Sequence, residues 1–239
     1  EKMEPPRPYA VQQSDFFEKE VPPRPMPVLL AAGRPVEEWV EPVPGQPLTF
    51  RTKGVGQPAD LTLVAFYKLP PQRYSLYWDL LTPQQWKTQQ EVATQREQRK
   101  RALAERTLDA VATGNDQSEK DHRFKGEKTG MGTFAGRAYR DASSGGWFSY
   151  TLKAPGDQPA KLLCTFWGSD GGARTFDILV NGATIATVKL NNDHPGEFFD
   201  AEYALPQEKL AADAPLVVTF RAQVGQMAGG VFDVRLVRE

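Results

Sequence analysis

The sequence predicts a mainly β chain: a proline-rich arm over residues 1–47, a partial β-sandwich region over 48–81, a long polar connecting helix over 82–108, and a C-terminal antiparallel β-sandwich over 109–239. Three observations predict it. Short runs of alternating apolar and polar residues recur from residue 146 to the end, with Gly, Pro, Asn and Asp between them. The stretch from Thr82 to Arg106 opens with capping signals and then, from Trp86 on, contains no helix breaker. Eleven of the 20 prolines fall within the first 47 residues, where their fixed φ and missing N–H exclude a sheet interior.

In the arm, Pro5, Pro6, Pro8, Pro22, Pro23, Pro25 and Pro27 favour an extended path over a surface, partly polyproline II. Only Pro27–Leu30 and Trp39-Val40 offer apolar anchors. In the next region Leu48 and Phe50 alternate with polar neighbours, Leu61–Tyr67 reads as a largely buried strand, and Arg73–Leu80 reads as a third. Three strands are too few to hide both faces of a sheet. This region therefore reads as the last part of a domain, or as a surface packed on a neighbour. In the helix Thr82 is the N-cap, Pro83 the first helical residue and Gln85 the partner of a capping box. Its apolar stripe is thin (Trp86, Val92, Ala93, Leu103), as in a helix exposed on most sides. The basic run Arg96 to Arg106 is interleaved with Glu97 and Glu105 and reads as a solvated face, not a nucleic-acid surface. Residues 109–136 are expected to be a long irregular loop. Strands are expected at 146–153, 161–168, 174–180, 184–190, 197–204, 216–222 and 231–237, each with one apolar face, as two packed sheets require.

Composition narrows the function. A formal net charge of -1 gives no global basic field, and no apolar run approaches a membrane-spanning length. Neither nucleic acid nor membrane is expected as a partner. The single cysteine, Cys164, permits no intrachain disulfide and no cysteine metal cluster, and its apolar surroundings predict a buried, inert thiol. The N-terminal EKMEPPRPYA lacks the apolar segment of a signal peptide, which leaves open a cytoplasmic chain and a piece of a longer one.

No catalytic constellation emerges. There is no Gly-x-Ser-x-Gly elbow, and the glycine run at 168–172 is not followed by a helix, unlike a nucleotide loop. Carboxylates meeting only in space would escape this reading. The only histidines, His122 and His194, lie far apart. Calcium is the one cofactor with candidate ligands, in Asp116 and Asp121 (near Glu119 and His122) and in Asn192 and Asp193 (near Asn191). The competing reading, turn residues bonding their own backbone, is preferred. Binding remains. Trp147 lies in a strand beside Ser149, Thr151 and Lys153, and an indole on the polar side of a sandwich is a platform for the apolar face of a sugar. Tyr139, Arg140, Asp141, Asp170 and Arg174 could bond the hydroxyls. Against this stands a Trp147 packed under the 109–136 loop and arginines paired with aspartates.

Longer stretches carry a family likeness. PVPGQPLTFRTKGVGQPADLTLVAFYKLPPQRYSLYWDL at 42–80 resembles the region after the catalytic barrel in β-L-arabinofuranosidase-type glycoside hydrolases, families 127 and 146. The TPQQW opening of the helix at 82–86 resembles it too. GGWFSYTLK (145–153), TFWGSDGGARTFDILVNGATIAT (165–187), PGEFFDAEY (195–203) and AGGVFDVRL (228–236) resemble the C-terminal module of those enzymes. The likeness runs in order over about residues 26–239. It implies a non-catalytic accessory region with a jelly-roll sandwich of carbohydrate-binding-module type, plant-type glycan as ligand and a catalytic (α/α)-barrel in the same or a partner chain. It also implies a periplasmic or extracellular setting. In that family a cysteine cluster with a glutamate binds zinc and a cysteine is the proposed nucleophile. This chain has neither, so no catalytic residue carries over. The alternative implied is a structural module bracing the barrel, without a ligand.

Overall fold

The computed structural model describes residues 27–31, 33–68, 78–153, 159–205 and 214–239. The chain divides into two compact units, Glu1–Glu97 and Gln98–Glu239. The mainly β class holds in both. No helix among the described residues is long and apolar enough to cross a membrane.

The first unit contains two small sheets. In one, β1 (Val28–Leu30) lies between β4 (Gly56–Gln57), antiparallel, and β6 (Leu80–Leu81), parallel. In the other, β3 (Thr49–Thr52) lies between antiparallel β2 (Val40–Pro42) and β5 (Thr62–Val64). The arm is thus not wholly unpaired. Val28–Leu30 contains no proline and keeps its donors, and Pro42 sits on an edge strand, where a missing N–H costs nothing. The strand expected over 61–67 stops at Val64, and Phe66–Lys68 form a 3-10 turn. Of the arm and the strand expected at 73–80, residues 1–26 and 73–77 lie outside the described residues. Asp60 ties the turn between β3 and β5. Its carboxylate accepts the Gly54 N–H at 2.8 Å, the Thr52 hydroxyl at 2.9 Å and the Gly56 N–H at 3.1 Å. The Gly54 bond foremost holds this carboxyl below its ordinary value.

Helix α1 (Pro83–Arg106) has the expected capping box. The Gln85 N–H donates to Thr82 Oγ1 at 3.2 Å, and the Gln85 side chain accepts from the Thr82 N–H at 2.8 Å. None of its side chains is buried. It ends where Thr107 starts β7 (Thr107–Val111).

The second unit is the sandwich. After β7 come α2 (Asp116–Asp121), β8 (Lys125–Phe134), β9 (Arg137–Leu152), β10 (Ala160–Trp167), β11 (Thr175–Val180), β12 (Ala183–Lys189), β13 (Phe198–Ala204), β14 (Leu216–Ala222) and β15 (Ala228–Arg238). Residues 109–136 are therefore mostly ordered elements and not an irregular loop. Their polarity has a topological cause: β7 is an edge strand on β15, and β8 pairs with β9 alone. Strands so placed need few apolar residues. Glycine is required at one of them, because a Cβ on Gly132 would sit 2.6 Å from the Tyr139 hydroxyl.

The strands connect in the order β12-β11-β14-β9-β15-β10-β13. Strand β9 belongs to both layers. Arg140 and Ala142 pair with Val231 and Ala228 of β15, whereas Trp147–Leu152 pair with β14. The change of partner falls at Ser143-Ser144-Gly145-Gly146. Gly145 takes a φ of 70°, and a Cβ on Gly146 would meet the Glu127 and Ser143 carbonyl oxygens at 2.7 Å. The two layers bury one core. Phe148, Tyr150, Phe176, Ile178 and Phe220 from one side meet Leu162, Cys164, Phe166, Val234 and Leu236 from the other, all at 0% exposure. The rings of Phe166 and Phe176 meet at 5.9 Å across the layers. Each such side chain contributes about 1.5–3 kcal/mol on burial.

A buried ion pair adjoins this core. Glu119 of α2 is 3% exposed and Arg140 of β9 is 7%. Arg140 Nε donates to Glu119 Oε1 at 2.7 Å and a terminal nitrogen to Oε2 at 2.5 Å. Oε1 also accepts the Gly114 N–H at 2.9 Å and the Tyr150 hydroxyl at 2.8 Å. The guanidinium lies 4.1 Å from the centre of the Phe124 ring. Burial alone would push the Glu119 carboxyl up, but the Arg140, Gly114 and Tyr150 hydrogen bonds outweigh it and hold the carboxyl below its ordinary value.

Breaking this pair is expected to be costly. Glu119→Gln should lower stability by on the order of 3 kcal/mol in urea titration at pH 7, because Arg140 is left uncompensated. A carboxyl with a lowered folded pKa stabilises above its unfolded value, 4.5, and that contribution is lost as pH falls through the folded value. The wild type should therefore lose stability more steeply than Glu119→Gln on acidification below pH 4.5. A cost under about 0.5 kcal/mol, the range of an ordinary surface change, would contradict this.

Candidate functional site

The layer β12-β11-β14-β9 turns its large apolar residues inward, so the residues between them line an outer face. The register sets Trp147 opposite Glu127 on β8 and opposite Arg221 on β14. Arg221 is opposite Asp177 on β11, and Asp177 is opposite Thr187 on β12. Directly opposed residues of antiparallel strands share a face. The five side chains form one row across five strands, roughly 19 Å long at about 4.8 Å per strand. Beside the row Ser149 is 5% exposed and Leu179 5%, which gives the face a close-packed floor of small and apolar groups.

The chemistry of the row lies in what is left unpaired. Asp177 accepts the Thr187 hydroxyl at 2.6 Å and the Gln223 amide at 3.4 Å. Arg221, its neighbour in register, makes no ion pair among the described residues, and neither does Glu127. Trp147 is half-buried and its indole has no ring or hydrogen-bond partner there. A half-buried indole thus stands in register between a carboxylate and a guanidinium that have no partner among the described residues. A flat apolar face with flanking charged hydrogen-bonding groups suits a ligand with both apolar and hydroxylated sides.

The other sequence candidates lie apart from Trp147. Arg140 is a correction: it is 7% exposed and its guanidinium is taken up by the Glu119 carboxylate, as a buried structural pair. It pairs with a glutamate from the stretch expected to be a loop. Arg174 lies 3.3 Å from Asp170 and donates to the Gly229 carbonyl at 2.5 Å. Burial first, against the pull of Arg174 and the Gly230 N–H, raises the Asp170 carboxyl. Both residues thus secure the start of β15. Tyr139 packs against Phe232 with ring centres 5.4 Å apart. Asp141 is half-buried on the same side of β9 as Tyr139. Trp147 is half-buried, and its neighbour from residues 109–136 is Glu127, opposite it in the β8–β9 register.

On the other layer the β8–β9 hairpin tip covers a second aromatic group. Phe134 meets Trp167 at 5.0 Å, Trp167 meets Phe198 at 4.9 Å, and Phe198 meets Phe232 at 4.7 Å. The Arg137 guanidinium lies 4.4 Å from the centre of the Phe198 ring. These rings satisfy one another and anchor the tip. Beside them burial foremost raises the Asp233 carboxyl, against the attraction of Arg235 and Arg137.

The calcium candidates have other partners in part. Asn115 caps α2 by accepting the Ser118 N–H at 2.9 Å, and Asp121 accepts the Gln117 amide at 2.8 Å. Asp116 lies in the first turn of α2. The N–H of Asn192 bonds the Asp170 carbonyl at 2.7 Å, in the loop that holds Asp193. His122 is held between the Ser118 carbonyl and Asp109, and His194 stacks on Phe199 at 4.4 Å. Among the described residues no group of three or more His, Cys, Asp or Glu could hold a metal ion. Cys164 is 0% exposed, and burial drives its thiol well above its ordinary value, so no thiolate nucleophile is available there.

Arg221 and Glu127 were not among the sequence candidates. The alternation Val218, Phe220, Ala222 already turns Arg221 outward. What the sequence does not give is the pairing of β9 with β14, which sets it beside Trp147.

Residues 102–237 match the profile of a family of unknown function, DUF6805. No curated protein matches the chain. Among solved structures it is similar to a family 35 carbohydrate binding module from Clostridium thermocellum, at 15% identity over 51% of this chain and 95% of that one, with a TM-score of 0.41. It is similar to a family 35 module from an environmental isolate, at 12% identity over 54% and 91%, with a TM-score of 0.42. It is also similar to the C-terminal family 6 carbohydrate binding module of LamC from Zobellia galactanivorans, at 12% identity over 55% and 99%, with a TM-score of 0.37.

Side chains without partners can be removed cheaply. Arg221→Gln and Glu127→Gln should each change stability by less than about 0.5 kcal/mol in thermal denaturation. A loss above about 1 kcal/mol for either would show that it holds the fold.

Proposed function

The chain belongs to the family of unknown function DUF6805, and we propose that its sandwich is a non-catalytic carbohydrate-binding region that meets plant-type glycans on the row centred on Trp147. The observation that carries this reading is the half-buried Trp147 indole set in register between Glu127 and Arg221, neither of which has a partner among the described residues. A pyranose or furanose ring lies with its C–H face on the indole. Its hydroxyls donate to the Glu127 carboxylate and accept from the Arg221 guanidinium.

In the finer form of the proposal the chain is an accessory region of a β-L-arabinofuranosidase-like glycoside hydrolase, whose catalytic barrel lies in the same or a partner chain. Its setting is then periplasmic or extracellular. The motifs at 42–86 and 145–236 support this reading.

A second reading is favoured by a separate observation in the first unit. Val40 and Phe50 are each 41% exposed on one face of the β2-β3-β5 sheet, which Pro42 and Leu63 share. An apolar sheet face of this kind is suited to bracing a barrel, so the first unit would be structural whatever the sandwich binds.

Affinity gel electrophoresis against soluble arabinans, arabinogalactans and pectins tests the first reading. Wild-type chain should be retarded on at least one of them, and Trp147→Ala should bind about fivefold more weakly or worse, with an unchanged melting curve. No retardation on any polymer, or retardation that survives Trp147→Ala, would overturn it.

A further inference from the structure

Resting on the glycan reading of the Trp147 row, we infer that this face selects a glycan carrying hexuronate groups, with the sugar carboxylate held by Arg221. The inference starts from the pairing that fails to form. Arg221 and Asp177 are directly opposed on β14 and β11, the arrangement in which a cross-strand ion pair ordinarily forms. Instead Asp177 is turned to Thr187 and Gln223. Arg221 remains exposed, opposite Trp147 in register.

Two more cations border the row on the same face. Lys125 is two residues before Glu127 on β8, and Lys189 is two residues after Thr187 on β12; both are exposed and have no partner among the described residues. The face thus carries three cations without an ion pair among the described residues (Lys125, Lys189 and Arg221) against two carboxylates, Glu127 and the hydrogen-bonded Asp177, in a chain whose formal net charge is -1. Its excess of positive charge is local.

Guanidinium geometry makes the choice specific. Its planar fork bonds both oxygens of a carboxylate at once, which a hydroxyl cannot reproduce. A ring stacked on Trp147 brings a substituent on its β14 side within reach of Arg221, since opposed strand residues lie about 5 Å apart. Glu127 sets the direction. A carboxylate turned toward β8 would be repelled, so the acid group points to β14 and the hydroxylated edge to Glu127.

The experiment compares sodium polygalacturonate and a glucuronate-bearing arabinogalactan, each native and after chemical reduction of its carboxyl groups, in affinity electrophoresis with the full chain. Wild type should bind at least one native polymer about tenfold more tightly than its reduced form. Arg221→Gln should lose that advantage and bind native and reduced polymer about equally. Arg221→Lys should recover only part of it. Poly-L-glutamate serves as a polyanion without a sugar ring and should bind far more weakly than the preferred native polymer. Equal binding of native and reduced polymers, both lost with Trp147→Ala, would overturn the acidic selection and leave the glycan reading standing. Native polymer bound as tightly by Arg221→Gln as by wild type would overturn the role of Arg221. Equal retardation by poly-L-glutamate would reduce the face to unspecific charge and overturn the inference. Binding of none of these polymers or of neutral arabinan would overturn both readings.

Discussion

A carboxylate removed from water is tolerated only when donors replace the water, and Glu119 has three kinds: a guanidinium, a backbone N–H and a phenol. These donors come from different places. Gly114 follows β7, Arg140 lies in the half of β9 that pairs with β15, and Tyr150 lies in the half that pairs with β14. One acceptor therefore ties the entry of the sandwich to both halves of its longest strand. With Arg140 and Tyr150 both fixed inward, alternation turns Tyr139 and Asp141 outward on one layer and Trp147 outward on the other. The outward side of Trp147 thus follows from the inward Phe148 and Tyr150, the latter held by this carboxylate.

The outer face of that layer differs from its inner face in what satisfies its groups. Inside, ring meets ring, as in Phe148 and Phe220 stacked at 5.0 Å. Outside, Trp147 meets no ring, and Arg221 and Glu127 find no partner among the described residues. The aromatic group at the hairpin tip is a useful contrast. Trp167 sits between Phe134 and Phe198, and Arg137 lies on Phe198. There the aromatics complete one another, and the geometry needs no ligand to explain it.

Much of this was legible in the sequence where local rules govern. The capping box of Thr82 and Gln85, the seven strands from residue 146 onward and the burial of Cys164 follow from periodicity and turn residues. Polar strands were not legible. Residues 125–134 have no apolar alternation to announce them, because β8 is stabilised by hydrogen bonds to β9 and by the space Gly132 leaves for Tyr139. Long-range pairing was the other barrier. Arg140 reads as a surface arginine until Glu119, 21 residues away, is brought to it by α2. Trp147 was identified from its own strand, but its partners stand on two others.

The central claim is that ligand contacts converge on the outer face of the β9–β14 pair. Nitrogen-15 labelling of the tryptophan indoles, read by proton–nitrogen correlation NMR during titration with an arabinogalactan or pectin oligosaccharide, tests it most directly. The account predicts a saturable shift of the Trp147 indole signal, assigned through Trp147→Phe, with Trp167 unmoved. A shift of Trp167 with Trp147 silent would place binding at the hairpin tip and contradict it, as would spectra unchanged throughout the titration.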